Sequence, residues 1–412
     1  MVASLVPTLR SSLWAVAAPL GLYALFIGLG ATPFFQRHFL YAHKVNTLSW
    51  TDVNEPERWG FARNQVTPFK LNTSDGERLY AWHLLPLPLY LQNEASLAAR
   101  VPGFADEVTT TESFRLLKHD PEARLVLYCK RCRSAARKSS HVANPRQFTG
   151  QNAGHIAQAF RPSSYHTLTD TSSYHVLAVD YRGFGHSTGV PSESGLIEDG
   201  STLVEWAINV AGVPPERIVL LGQSLGTAVV SGVAERYALK GVEFAGIVLV
   251  AGFSDLTSML SEYRIHGLVP VLAPFRNWQP LLQLLHKCVV DKWHSANRLS
   301  TIVQNTKSRL RLNLVHSFDD PDIPWTEDNK LFKAAVQGRE NITDDAEFET
   351  WKQERTNQIS QNAFRTTWKA SPNIMVHQEL FPYGGHNNIM GSAPVTLAIM
   401  RSFELHGTTY AS

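Results

Sequence analysis

The chain has 412 residues, 44% of them hydrophobic, enough for one large domain or two ordinary ones and too polar for a multi-span membrane protein. A net charge of +2 gives no general electrostatic case for a nucleic-acid partner. Three cysteines (Cys129, Cys132, Cys288) are too few for a disulfide framework, and Cys129-x-x-Cys132 lacks the second pair that completes a zinc site.

In chain order, the first feature is apolar. No residue between Arg10 and Arg37 is charged, and "LWAVAAPLGLYALFIGLG" is nearly all hydrocarbon. A bilayer core takes about 20 such residues. A cleaved signal peptide has an apolar core of only about 7–15, followed by a small-residue cleavage site. The run therefore reads as a retained single-pass anchor over 1–40, with a transmembrane helix at about 12–31. Pro19 is tolerable in lipid, and Phe34, Phe35, Phe39 and Tyr41 suit the interface. Residues 41–65 read as a linker. Orientation is close to a tie, because Arg10 and the amino terminus oppose Arg37 and Lys44. The sequons Asn72-Thr-Ser and Asn341-Ile-Thr tilt it toward a luminal body.

Residues 66–412 read as one α/β domain. "NQVTPFKLNTSDGERLYAWHLLP" predicts a hairpin turning at Ser74-Asp75-Gly76. Buried-strand runs then recur as "RLVLY", "HVLAVDY", "RIVLLG", "GIVLVAG", "RLNLV" and "IMVHQEL". Helical patterns separate several of them, as at Leu203–Ala211 and Ala228–Leu239. That alternation predicts a mainly parallel sheet with helices on both faces and the hairpin at one edge. In such sheets the site lies at the carboxyl ends of the strands. Two insertions break the rhythm. One, at about 252–308, is rich in Leu, Trp and Phe and reads as a helical cap. The other, around Asp344–Lys369, is polar and reads as an exposed excursion.

The strand "RIVLL" runs into Gly222-Gln223-Ser224-Leu225-Gly226 and then a helix of small residues. This strand–turn–helix with G-x-S-x-G is a nucleophile elbow, in which glycines permit the tight turn that presents the serine hydroxyl. A serine hydroxyl needs a base in reach, and the base needs an orienting acid. The order Ser, Asp, His selects from "HSFDDPDIPW" and "FPYGGHNN". His386, behind Gly384 and Gly385, is the base. Asp320 is the preferred acid, with Asp319 and Asp322 as alternatives. One oxyanion donor is the Leu225 amide, and the second comes from the loop after "RLVLY". The mechanism requires no metal or cofactor.

Beyond these motifs, "NAGHIAQAFRP", "VLAVDYRGFGHSTGVPSESGLIEDG", "IVLLGQSLGTAV" and "HSFDDPDIPW" resemble the α/β-hydrolase superfamily, in particular membrane-anchored monoacylglycerol and lysophosphatidylserine lipases in their fungal branch. The resemblance spans most of Val66–Leu405. It implies a Ser224–Asp320–His386 triad, an oxyanion donor at Asn152, an endoplasmic-reticulum anchor, and glycerolipid or lysophospholipid esters as substrates. The family places His-Gly-Asn-Ala-Gly directly after the third strand. Here Asn152-Ala153-Gly154 follows Tyr128 only after about twenty extra residues, including six Lys/Arg and no acid. The stretch at about 129–150 has three readings: a natural surface insertion, a basic patch for a partner or lipid headgroup, or a translated intron. The competing functions are a protein-thioester (depalmitoylating) hydrolase, a peptidase using the same triad, and a non-catalytic membrane scaffold. Oligomeric state and leaflet are not encoded in any motif.

Overall fold

The computed structural model describes residues 5–43, 52–130, 154–158, 160–262, 272 and 278–404. The hairpin pairs β1 (Val66–Asn72) with β2 (Arg78–Leu84). It closes at Gly76, whose φ of +91° suits glycine. The six apolar runs form β3 (Arg124–Lys130), β4 (Tyr174–Val179), β5 (Ile218–Gln223), β6 (Gly246–Val250), β7 (Leu310–Ser317) and β10 (Ile374–Phe381). Between β7 and β10 lie β8 (Thr356–Ser360) and β9 (Ala363–Ala370). All join one sheet in the order β1-β2-β4-β3-β5-β6-β7-β10-β9-β8. From β4 to β10 neighbours run parallel, and both edges are antiparallel.

Period-two alternation splits the core into two layers. Leu125, Leu127, Leu220 and Leu249 face one cluster, while Val126, Tyr128, Val219 and Val248 face the other. Two helices cover the second face, α3 (Arg161–Asp170) through Tyr165 and Leu168, and α10 (Ala393–Phe403) through Val395 and Ile399. The first face takes α4 (Glu193–Glu205), α5 (Leu225–Ala238), α8 (Ser295–Asn305) and α9 (Thr326–Gln337). Strands walled on both sides have no polar face, which is why they read as unbroken apolar runs.

At the N-terminus, α1 (Leu5–Gly30) gives way to α2 (Pro33–Tyr41). The break is local chemistry: Thr32 caps the Phe35 amide, and Pro33 opens the new helix. Among the described residues, no single helix is long and apolar enough to cross a membrane. Ala17–Gly30 and Pro33–Tyr41 pass that test only together, bent by 89°. Leu20, Leu22, Leu25 and Leu29 are exposed. The far end of α2 is anchored in the body. Leu40 and Tyr41 are buried, and Tyr41 donates to Asp291 Oδ2 at 2.7 Å. Gln36 donates to the Cys288 carbonyl at 2.7 Å and accepts from the Val290 amide at 2.9 Å.

Three stretches differ from the sequence expectation. The expected linker 41–65 is partly integral to the domain. Val53 is fully buried, and its carbonyl accepts from Tyr80 and Trp82 at 2.9 and 3.2 Å. The expected cap spans less than 252–308: α8 packs between α5 and α9, α6 (Leu256–Glu262) puts Leu256 and Met259 into the first core layer, and α7 (Gln279–Cys288) rests Leu285 against it. The polar stretch Asp344–Lys369 is not a free excursion. After the helix Asp345–Gln353 it adds β8 and β9 to the sheet, with Trp368 buried on β9 and donating to Glu340 at 3.0 Å. β8 is the edge strand and is exposed nearly throughout, and β9 beside it is only partly buried, so their polar residues disguised them.

Candidate active site

The site is built where strands end. β5 delivers Gln223 and then Ser224, which has φ 55° and ψ −125° just ahead of α5. A side-chain-bearing residue held there carries strain of about 1–3 kcal/mol. The turn is closed by the Ser224 amide donating to the Val250 carbonyl at 3.0 Å, and by Thr227 donating from its amide and hydroxyl to the Ser224 carbonyl. It is also tight enough to demand glycine. A Cβ at Gly222 would sit 2.5 Å from the Gly226 carbonyl oxygen and 2.9 Å from Thr227 Cα. Ser224 is 2% exposed and Leu225 is buried beside it at the start of α5.

β7 ends at Ser317, and the turn after it separates the three candidate acids. Asp320 Oδ2 accepts from His386 Nδ1 at 2.8 Å. Its Oδ1 accepts from the Asp322 and Ile323 amides at 2.8 and 3.0 Å. Asp319 instead takes the Gly385 amide at 2.7 Å and the Ser317 hydroxyl, so it fastens the loop that carries His386. Asp322 enters only through its backbone. The Asp320 carboxyl has no exposed surface, and burial alone would raise its pKa. The His386 and His316 rings and the hydrogen bonds to it outweigh burial and hold it well below the usual carboxylate range.

β10 ends at Phe381, and Gly384 (φ 145°) turns the chain into the short helix Gly385–Asn388, which opens on Gly385 (φ 54°) and carries His386. His386 is 7% exposed. Its carbonyl accepts from Gln223 Nε2 at 2.6 Å. The residue before Ser224 thus ties the elbow to the histidine loop across the sheet end, a role no sequence motif flagged. With its Nδ1 on Asp320, the His386 ring has its other nitrogen, Nε2, outside that bond.

β3 reaches the same end. Cys129 and Lys130 pair in register with Gly222 and Gln223. The loop expected to bring the second oxyanion donor therefore starts beside the elbow. Asn152 and Cys132 lie outside the described residues, as does the segment 131–153. The chain is described again from Gly154, followed by buried His155, Ile156 and Ala157. Burial and the nearby Arg161 and His186 charges push the His155 pKa down to about 4. Burial raises the Cys129 thiol to about 11, so it stays a neutral core residue.

A family model described as Serine aminopeptidase, S33, matches residues 164–347, which include Ser224 and Asp320. Protein ABHD12B of Homo sapiens is 29% identical over 253 residues, 61% of this chain and 58% of that protein. Lysophosphatidylserine lipase ABHD12 of Danio rerio is 23% identical over 323 residues, 78% of this chain and 72% of that protein. The chain thus spans under two thirds of the first of these relatives. Among solved structures, an alpha-beta hydrolase from Vibrio vulnificus superposes with a TM-score of 0.53 at 15% identity, covering 90% of this chain and 94% of its own.

Proposed function

We propose that this chain, which belongs to the α/β-hydrolase superfamily, is a serine hydrolase that cleaves lipid acyl esters of the monoacylglycerol or lysophospholipid type beside a membrane. Ser224 Oγ attacks the acyl carbon while His386 Nε2 takes its proton. The same nitrogen then protonates the departing alcohol, and water repeats the cycle on the acyl-enzyme. Asp320 fixes the ring through Nδ1 and stabilises the imidazolium. The Leu225 amide and, in this reading, that of Asn152 hold the oxyanion; one such donor contributes about 2.7–4 kcal/mol. The observation that carries the reading is the 2.8 Å bond between His386 and Asp320, set beside the strained Ser224 by the Gln223 clasp.

The lipid class draws support from the relative named as a lysophosphatidylserine lipase. It also draws support from an apolar cavity of about 270 Å³ between the N-terminal helices and the cap. Phe26, Phe35, Leu260, Leu284 and Leu285 are among its walls. Membrane attachment through α1 and a luminal, endoplasmic-reticulum placement belong to the same proposal. The exposed apolar face of α1 and the exposed sequon residues Asn72 and Asn341 support it. A fluorophosphonate probe should label the wild type and not Ser224→Ala, and purified wild type should release fatty acid from monoacylglycerol or lysophospholipid. Folded protein that never labels would favour a non-catalytic scaffold. Labelling with turnover of acyl-thioester peptides alone would favour the depalmitoylating reading.

A further inference from the structure

Asp320 has a second partner behind His386. His316, fully buried on β7, points Nε2 toward Asp320 Oδ2 at 3.3 Å and the Ile323 carbonyl at 3.1 Å. On the other side, its Nδ1 lies 3.1 Å from Asp328 Oδ1, on the first turn of α9. This last approach is an ion-pair contact without good hydrogen-bond alignment. Among the described residues, every group that meets the two ring nitrogens is an acceptor. A neutral imidazole would turn a bare nitrogen to one of them, so the surroundings ask for both N–H groups.

Resting on the triad reading above, we infer that His316 is a positioning residue, held as an imidazolium between Asp320 and Asp328 so that its charge and that of Asp328 together set the basicity of His386. The buried row runs His386, Asp320, His316, Asp328. With His386 neutral it carries one net negative charge. Among the described residues Asp328 has no hydrogen-bond partner for either oxygen; burial pushes its pKa up, and the His316 imidazolium is the charge beside it that opposes this. The two carboxylates overcome burial and raise the His316 pKa to about 10. Two other charges face Asp328, the like charge of Glu327 and the opposite charge of Lys352. Glu327 takes Lys330 and the Ser254 and Ser258 hydroxyls, Asp319 holds the Gly385 amide, and Lys352 donates to Asn329 at 2.6 Å.

The arrangement predicts opposite responses to removing its two outer members. Asp328→Asn deletes a negative charge. At acid pH the ring of His316 keeps its proton against Asp320, so His386 becomes easier to deprotonate. His316→Gln deletes the positive charge next to Asp320. The uncompensated Asp328 then takes up a proton, and His386 becomes harder to deprotonate. The measurement is the rate of fluorophosphonate labelling of Ser224 from pH 4 to 9. The acid limb should move down in Asp328→Asn and up in His316→Gln, each by on the order of one pH unit. A structural role alone would lower both rates and leave the limbs in place. Should His316→Gln not fold, the direction in the near-isosteric Asp328→Asn decides. Labelling with unmoved limbs, or with both moved the same way, overturns this inference alone. A wild type that labels at no pH overturns the triad reading and this inference together.

Discussion

At the scale of single residues, the elbow shows how little freedom the site allows. Ser224 sits at positive φ, and Gly222 sits where a methyl group would strike backbone atoms on the opposite side of the turn. A flexible side chain could swing away from such a clash, but the Gly226 carbonyl and Thr227 Cα belong to the helix start and cannot. Gly222→Ala is therefore expected to lower stability by about 1–3 kcal/mol, the range for overpacking, and to abolish Ser224 labelling. Gly385 provides the contrast. Its φ is 54°, but nothing lies within 4 Å of an added Cβ. Gly385→Ala should then cost only the backbone term of about 1–2 kcal/mol. Thermal melting and probe labelling on the two variants check the ordering. If Gly385→Ala proves the more damaging, the close approach at Gly222 is not what constrains the elbow.

Among the elements, legibility followed burial. β3, β4, β5, β6, β7 and β10 are walled on both faces, so each announced itself as an apolar run, and the chemistry could be sought where each ends. β8 is exposed along nearly its whole length and β9 buries only Ala363, Thr366 and Trp368, so the pair passes for a loop. The segment 52–65 is pinned by the Val53 carbonyl, and no side-chain pattern records a backbone acceptor. Ser224 and His386 stand in motifs, and Asp320 stood out only as one of three aspartates. His316, Asp328 and Gln223 act through contacts that the folded sheet assembles, the Gln223 bond joining residues 163 apart. The end of β4 shows another consequence hidden in a run. Asp180 follows "HVLAV" into a fully buried position, where burial, opposed by Arg161 and nearby amides, raises its pKa to about 7. Unfolded, it titrates near 4. Between those values the native state holds a proton that the unfolded chain has released. Stability should therefore be greatest below pH 4 for this group, fall as pH rises toward 7, and level off above, by a total of a few kcal/mol. Asp180→Asn should flatten that slope in denaturant titrations at pH 5 and pH 8. An unchanged slope would mean Asp180 is ionised in the native state throughout.

For the whole molecule, the organising question is how the N-terminal helices serve the site. α2 is bonded to the end of α7 through Gln36 and to the following turn through Tyr41 and Asp291, so α2 and α7 form one wall. The cavity inside that wall is lined almost wholly by carbon. Among the described residues Arg37 and Asp291 are the charged ones on it, and α1 leads out of it with leucines facing outward. A single acyl chain is the occupant that suits such a surface, and a bilayer-dissolved ester would reach it alongside α1. Filling the space should then penalise long chains and spare short ones. Leu260→Trp and Leu284→Trp are each expected to raise KM for a long-chain monoacylglycerol about tenfold, the scale of losing roughly 1–2 kcal/mol of apolar contact. Turnover of a soluble butyrate ester should stay unchanged, since neither residue meets the triad. Cys288 also lines the cavity and reports on it independently. A non-hydrolysable monoalkylglycerol ether should slow maleimide modification of Cys288 in Ser224→Ala, measured on the isolated Cys288 peptide. Equal losses on long and short esters, with Cys288 unprotected, would place the acyl chain elsewhere and leave the cavity as a packing gap between α2 and α7.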